Sequence, residues 1–391
     1  MLRKSIYIAA SLLGLAASTA TLADETVKIG YAIARTGPFA GGAQVSQEPN
    51  YLLWADQVNA KGGLSVAGKQ RKIELIGYDD RSDTETVVRT YEKLMNQDKV
   101  DLVLPPWGTG QTFAVATLAN KLGYPIIAPT ASSKKLTDMR LPFVFTILQQ
   151  PDQMMNALAD MLVAQGIKTV AVVHVDDLFG LENVDALSKA LASHNIQLLE
   201  KKSYPLGVKD LSPVLKAMKE KNPDAFLGIT YPPDTILVSK QAKEIGFNPK
   251  IFYAAVGTAF PLYKAQLAAN TEGVMGMGSW NAKTSAAAKD YFDAHVAKFQ
   301  KEPDRWASAH AYASLQILQQ AVEKVGLDRA KIRDAIAGGE FQTILGPIKF
   351  KDGMNASIPG TVSQWQKGEF EVVWPKARAT AQLVSPKPAW N

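Results

Sequence analysis

Short apolar runs alternate with helix-like runs almost to the end of this chain, and few folds accept that rhythm. Strand candidates lie at 27–32, 72–78, 100–104, 124–128, 169–175, 225–230, 251–255 and 273–278. Most are continuous apolar stretches, as expected of strands buried on both faces of a parallel sheet. Between them, Asp83 is placed to cap a helix whose apolar face uses Val87, Val88, Tyr91, Leu94 and Met95, spaced three, four and seven apart. Ser212-Pro213 marks another start, because proline at the first helical position gives up only a donor that would be unpaired anyway. Gly123, Gly166 and Gly246 each sit just past a helix and before a strand, where a left-handed C-cap is wanted. The fold class that follows is α/β, built of repeated βα units in doubly wound parallel sheets. The 391 residues exceed what one core of roughly 250 residues comfortably serves, so two lobes are expected.

At Leu141-Pro142-Phe143-Val144-Phe145 the rhythm breaks into an extended segment, which reads as a crossing between lobes, and it restarts with a helix at Pro151. Two more crossings are expected near 269–273 and 345–347. Residues 24–142 plus 272–345 would then form lobe one, and 143–271 plus 346–391 lobe two. The last stretch, with 348–350, 362–365 and 370–374, reads as short antiparallel strands turning at Gly353 and Gly368.

The N-terminus has the order of a secretion signal. Arg3 and Lys4 precede an apolar segment, Ile6 to Leu15, and small residues run up to Ala23. Residues 1–23 are therefore expected to be cleaved, the mature chain to begin near Asp24, and the protein to reside in the periplasm. Losing Arg3 and Lys4 lowers the formal charge from +6 to +4, a modest excess with no basic stripe, which argues against nucleic acid as a partner. There are no cysteines, which excludes disulfides, thiolate catalysis and a lipid-modified N-terminal cysteine. No second apolar run of about eighteen residues follows the signal, so no later membrane span is expected.

In open parallel sheets, ligands bind at the carboxyl ends of the strands. After the strand ending at Leu104 comes Pro105-Pro106-Trp107-Gly108-Thr109-Gly110, and after the one ending at Ala128 comes Pro129-Thr130-Ala131-Ser132-Ser133. Small residues and hydroxyls at a helix start suit two tasks equally, capping that helix or cradling a carboxylate. Trp107, Phe179, Tyr231 and Trp280 all lie one to four residues beyond a strand, positions that favour a flat or apolar ligand wall. A search for catalytic groups returns little. His174, His194, His295 and His310 have no metal-ligand spacing, and the acid pairs Asp79-Asp80 and Asp176-Asp177 stand where helix caps usually do. There is no Walker loop, dinucleotide glycine fingerprint or nucleophile elbow. Neither an enzyme, a metal nor a cofactor is expected.

Val27-Lys28-Ile29-Gly30 leading to Thr36-Gly37-Pro38-Phe39-Ala40, then Gly62-Gly63-Leu64, Ala128-Pro129-Thr130-Ala131-Ser132, Asp177-Leu178-Phe179-Gly180 and Tyr231-Pro232, resemble in order and spacing the leucine/isoleucine/valine-binding protein family. The resemblance covers essentially the whole mature chain. It implies the type I periplasmic binding protein architecture, two doubly wound lobes on a three-strand hinge that closes on a ligand, in a monomer that delivers cargo to an inner-membrane ABC permease. It also implies that Trp107, Gly108, Thr109, Thr130, Ala131 and Ser132 hold a ligand carboxylate, that Phe179 and Tyr231 close from lobe two, and that Trp280 forms a wall. Amino-acid binders of the family place a glutamate after the strand that here ends near Ala254; this chain has Ala255 and Val256 there, and no acid from Ile251 to Thr271. A buried ammonium without a partner would cost several kcal/mol. The expected cargo is thus a small carboxylate without the amine, an aromatic or aryl-keto acid. The alternatives are a branched-chain amino acid or amide held by an unassigned acid, and a ligand-sensing domain for a membrane receptor.

Overall fold

The computed structural model describes residues 26–391, so the expected signal at 1–23 and the cleavage near Asp24 lie outside the described residues. The first lobe holds two sheets that share a core around Val103, Val115, Ile126 and Ala128. In one, Val27–Ile33 runs parallel between Ile73–Asp79 and Leu102–Val103. In the other, Ile126–Ala128 pairs with Val144–Thr146, followed by Met354–Asn355, Gly346–Lys351 and Glu340–Thr343. The second lobe is a seven-stranded sheet in the order Glu369–Trp374, Val362–Gln366, Met275–Gly276, Ile251–Ala254, Ala225–Ile229, Thr169–Val175, Gln197–Tyr204. Five of these pair in parallel, Val362–Gln366 pairs antiparallel with Met275–Gly276, and Glu369–Trp374 pairs antiparallel with Val362–Gln366. Ala225–Ile229 and Ile251–Ala254 are buried along their whole length, which is why they read as unbroken apolar runs.

Local signals act as the sequence implies. Asp83 accepts the N–H of Thr86 at 2.7 Å, and Gly123, Gly166 and Gly246 take φ of +71°, +68° and +65°. The seams between lobes, however, lie later than the sequence suggests. Val144–Thr146 belongs to the first lobe's sheet, so the chain crosses after it, through 147–150. Met275–Gly276 is still part of the second sheet, so the second crossing follows it, not 269–273. Residues 345–347 are no crossing at all: Glu340–Thr343 and Gly346–Lys351 form an antiparallel hairpin in the first lobe, and the chain crosses at 356–361. The expected boundaries at 142, 272 and 345 shift accordingly. Among the described residues, no helix is long and apolar enough to cross a membrane.

Candidate functional site

The loops after Leu102–Val103 and Ile126–Ala128 are pinned to each other by side chains that leave one hydroxyl over. Gln47 donates to the carbonyl of Pro105 at 2.7 Å and accepts from the Thr130 hydroxyl at 2.8 Å. That hydroxyl also accepts the Gly108 N–H at 3.0 Å, so its hydrogen-bonding proton is spent inside the protein. Thr109 Oγ1 accepts the Ser132 N–H at 3.2 Å. Ser132 Oγ is different: it is buried with no hydrogen-bond partner among the described residues. Ala131 packs without exposure beside it.

Gly108 connects this cradle to the helix Thr109–Lys121. It takes φ +94° and supplies no side-chain cap to the helix. A Cβ at Gly108 would meet no atom within 4 Å, although the residue itself is buried. The first turn of the helix therefore presents uncapped N–H groups at an enclosed space beside Ser132, a setting that attracts an anion.

Four aromatic rings converge next to this cradle, two from each lobe. Trp107 is fully buried, and its indole N–H donates to Ser46 Oγ at 2.7 Å. Gly42 makes room for it, since a Cβ there would fall 2.3 Å from the indole. Tyr231 is the meeting point: its ring centroid lies 5.3 Å from Phe179, stacked, 5.4 Å from Phe39, edge-on, and 5.6 Å from Trp107. Phe39 and Trp107 belong to the first lobe and Phe179 and Tyr231 to the second, so these contacts describe a closed cleft. Glu182 of the second lobe reinforces closure by accepting the N–H of Lys134 at 2.5 Å and of Lys135 at 3.3 Å, at the start of the helix Lys134–Asp138 in the first lobe.

Behind the rings stands an acidic group. Asp177 caps the helix Leu178–Ser193 by accepting the Gly180 N–H at 2.8 Å, and its second oxygen accepts from the Tyr231 hydroxyl at 2.7 Å. Desolvation pushes its carboxyl above the usual carboxylate range, against these hydrogen bonds. Asp234, which accepts from Tyr204 at 3.3 Å, is likewise pushed up to about 6 by burial.

Ala255 and Val256 are wholly buried, and their backbone is committed: the Ala255 N–H donates to Gly228 and the Val256 N–H to Thr230. Trp280 stands apart from the ring cluster. It lies on the second crossing, 5.3 Å from Tyr291 and 5.6 Å from the Arg305 guanidinium, with its buried indole N–H unpartnered. The ring that continues the cluster is Trp306, 6.1 Å from Trp107. Nothing in the sequence singles out Gln47 or Trp306, which reach the cleft from distant helix starts. Only the Phe39 position carried a signal, as part of the Gly37-Pro38-Phe39 turn following the first strand.

The chain is similar to known solute-binding proteins. A family model described as periplasmic binding protein matches residues 26–369. A Leu/Ile/Val-binding protein homologue of Brucella abortus is 23% identical over 97% of this chain and 99% of its own length. The substrate-binding protein of a branched-chain amino acid transporter from Streptococcus pneumoniae, solved with isoleucine, superposes with a TM-score of 0.78 at 23% identity, covering 93% of this chain and 100% of its own. A solute-binding protein of an ABC transporter from R. palustris, solved with benzoate, reaches a TM-score of 0.80 at 18% identity, over 93% and 97% of the two chains. The architecture is thus the type I periplasmic binding protein fold.

Proposed function

The chain belongs to the periplasmic binding protein family, the solute-binding components of ABC transporters, and from that premise we propose that its cargo is a small aromatic carboxylate captured in the periplasm. One observation carries the reading: a cluster of four aromatic rings, two from each lobe and packed against one another in this closed state, sits beside the unpartnered Ser132 hydroxyl and the uncapped start of the helix Thr109–Lys121. Rings of this kind suit a flat ligand, and the donors suit its carboxylate. The turn at Ala255 and Val256 offers no acid to an ammonium. The benzoate-bound relative from R. palustris is consistent with such cargo on this fold.

In this reading the ligand docks on the first lobe with its carboxylate at the Ser132 hydroxyl and the uncapped first-turn N–H groups of the helix Thr109–Lys121. The second lobe then swings in, Phe179 and Tyr231 cover the ring, and Glu182 fastens the rim. Closure hides the cargo and offers both lobes to the permease. The same logic makes the chain a binding protein and not an enzyme.

A second reading rests on Asp177. Its carboxylate has no cationic partner among its hydrogen bonds and sits directly behind Tyr231. It could receive the ammonium of a branched-chain amino acid, the class seen in the isoleucine-bound relative. Calorimetry on Phe179→Ala and Asp177→Asn separates the two. Under the first reading benzoate binding falls at least tenfold in Phe179→Ala and survives in Asp177→Asn; leucine binding to the wild type that disappears in Asp177→Asn establishes the second and overturns the first.

A further inference from the structure

A cavity of about 430 Å³ opens at the hinge, away from the four-ring box. Three parts of the chain wall it: the second crossing with Trp280, Lys283 and Ser285, the first lobe's hairpin turn at Leu345, and Arg378 with Thr380 from the second lobe. Its polar groups are unevenly satisfied. Glu371 is fully engaged: it pairs with Lys283, accepts from the Asn281 amide at 3.0 Å and accepts from the Thr380 hydroxyl at 2.6 Å. Glu369 also acts on Lys283 through its charge. Arg378 is left over. Its guanidinium is half-buried, and no hydrogen bond or ion pair engages it among the described residues; desolvation lowers its pKa, the mark of a cation that lacks a compensating anion. The other unmet group is the indole N–H of Trp280, whose side chain is wholly buried. His310, whose Nε2 is also buried and unpartnered, feels the charge of Arg378 and is kept neutral near pH 7 because burial lowers its pKa to about 4.

An unpaired guanidinium fork is the complement of a carboxylate, which takes two parallel bonds from arginine. A phosphate dianion fits less well, because Glu371 and Glu369 already supply negative charge on the Lys283 side. We propose that this hinge cavity is a second anion site, separate from the interlobe cleft, that takes a small monocarboxylate on Arg378, beside the buried Trp280 indole that reports its occupancy. Because its walls come from both lobes, an occupant there ties the hinge in one setting.

The test is a titration of the nitrogen-15-labelled mature protein with acetate, following the tryptophan indole N–H signals at constant ionic strength. The expected result is a saturable shift of the Trp280 signal, assigned with Trp280→Phe, that is lost in Arg378→Gln and is weaker with inorganic phosphate. Arg378→Gln should fold normally, since the guanidinium makes no hydrogen bond among the described residues, and equal thermal unfolding of the two proteins checks this. Absence of a saturable shift with acetate, persistence of the shift in Arg378→Gln, or a stronger response to phosphate would each overturn the assignment. A crystal structure with acetate gives an independent answer: density on Arg378 supports the site, and an empty cavity at saturating acetate refutes it.

Discussion

Removing one carboxylate at the cleft rim should open the receptor. Glu182 accepts two backbone N–H groups from the opposite lobe, at 2.5 and 3.3 Å, and both contacts exist only while the lobes are shut. Hydrogen bonds to a charged group contribute about 1.5–3 kcal/mol when shielded. Here Lys134 and Lys135 are exposed, so solvent screening reduces the pair to about 1 kcal/mol. That corresponds to a roughly fivefold lower closed-to-open ratio in Glu182→Ala, and the apparent affinity for cargo falls by a similar factor wherever tight binding requires closure. Small-angle X-ray scattering of the ligand-free protein should give a larger radius of gyration for Glu182→Ala, with thermal stability of each lobe preserved. Stopped-flow release of bound cargo should accelerate by about the same fivefold. Glu182→Gln, which keeps one acceptor oxygen, should fall between the two. Scattering curves and release rates indistinguishable from wild type would refute the idea that this contact holds the lobes together.

Three further outcomes follow from the site. Ser132→Ala removes a hydroxyl with no hydrogen-bond partner among the described residues, so unfolding should be unchanged within about 0.5 kcal/mol while cargo affinity drops roughly tenfold, read by thermal unfolding and calorimetry together. Gly42→Ala places a methyl 2.3 Å from the Trp107 indole, and it should both destabilise the first lobe by about 1–3 kcal/mol and weaken binding, measured by denaturant unfolding and titration. Asp234, raised to about 6 in the folded protein against 3.8 ordinarily, binds protons more tightly folded than unfolded. Its contribution to stability therefore improves as pH falls from above 6 towards 4. His295 and His310, both lowered to about 4, act in the opposite sense over much of the same window. The difference between wild type and Asp234→Asn isolates the acid: the substitution should stabilise at pH 7 and lose that advantage by pH 4, as followed by urea unfolding.

Much of the fold was legible because parallel strands buried on both faces carry continuous apolar runs; Thr169–Val175 has the limits its sequence suggests. Gln197–Tyr204 was hidden because it is the edge of its sheet, where Glu200, Lys201 and Lys202 face solvent or one another. The hairpin of Leu64–Val66 and Lys69–Arg71 was hidden because each arm is only three residues long. The crossings were misplaced for a topological reason: a hairpin arm such as Gly346–Lys351 and a hinge strand have the same local pattern, and only pairing distinguishes them. At the site, composition after each strand pointed to Trp107, Phe179 and Tyr231, and the structure brings these rings together. It did not reveal that the Thr130 hydroxyl is consumed by Gln47 and Gly108, that Trp280 turns towards the hinge, or that Phe39 completes the box, since each depends on a partner remote in sequence.

The most direct measurement of cargo class is isothermal titration of the refolded mature protein with benzoate and with leucine, refolding having stripped any solute carried from the host. Benzoate binding with leucine silent is the expected result, and at a hundredfold excess over the dissociation constant it should add about 2.7 kcal/mol to stability. Leucine binding with benzoate silent would contradict the assignment of the four-ring box to an aromatic acid and would shift the search for an ammonium partner to Asp177.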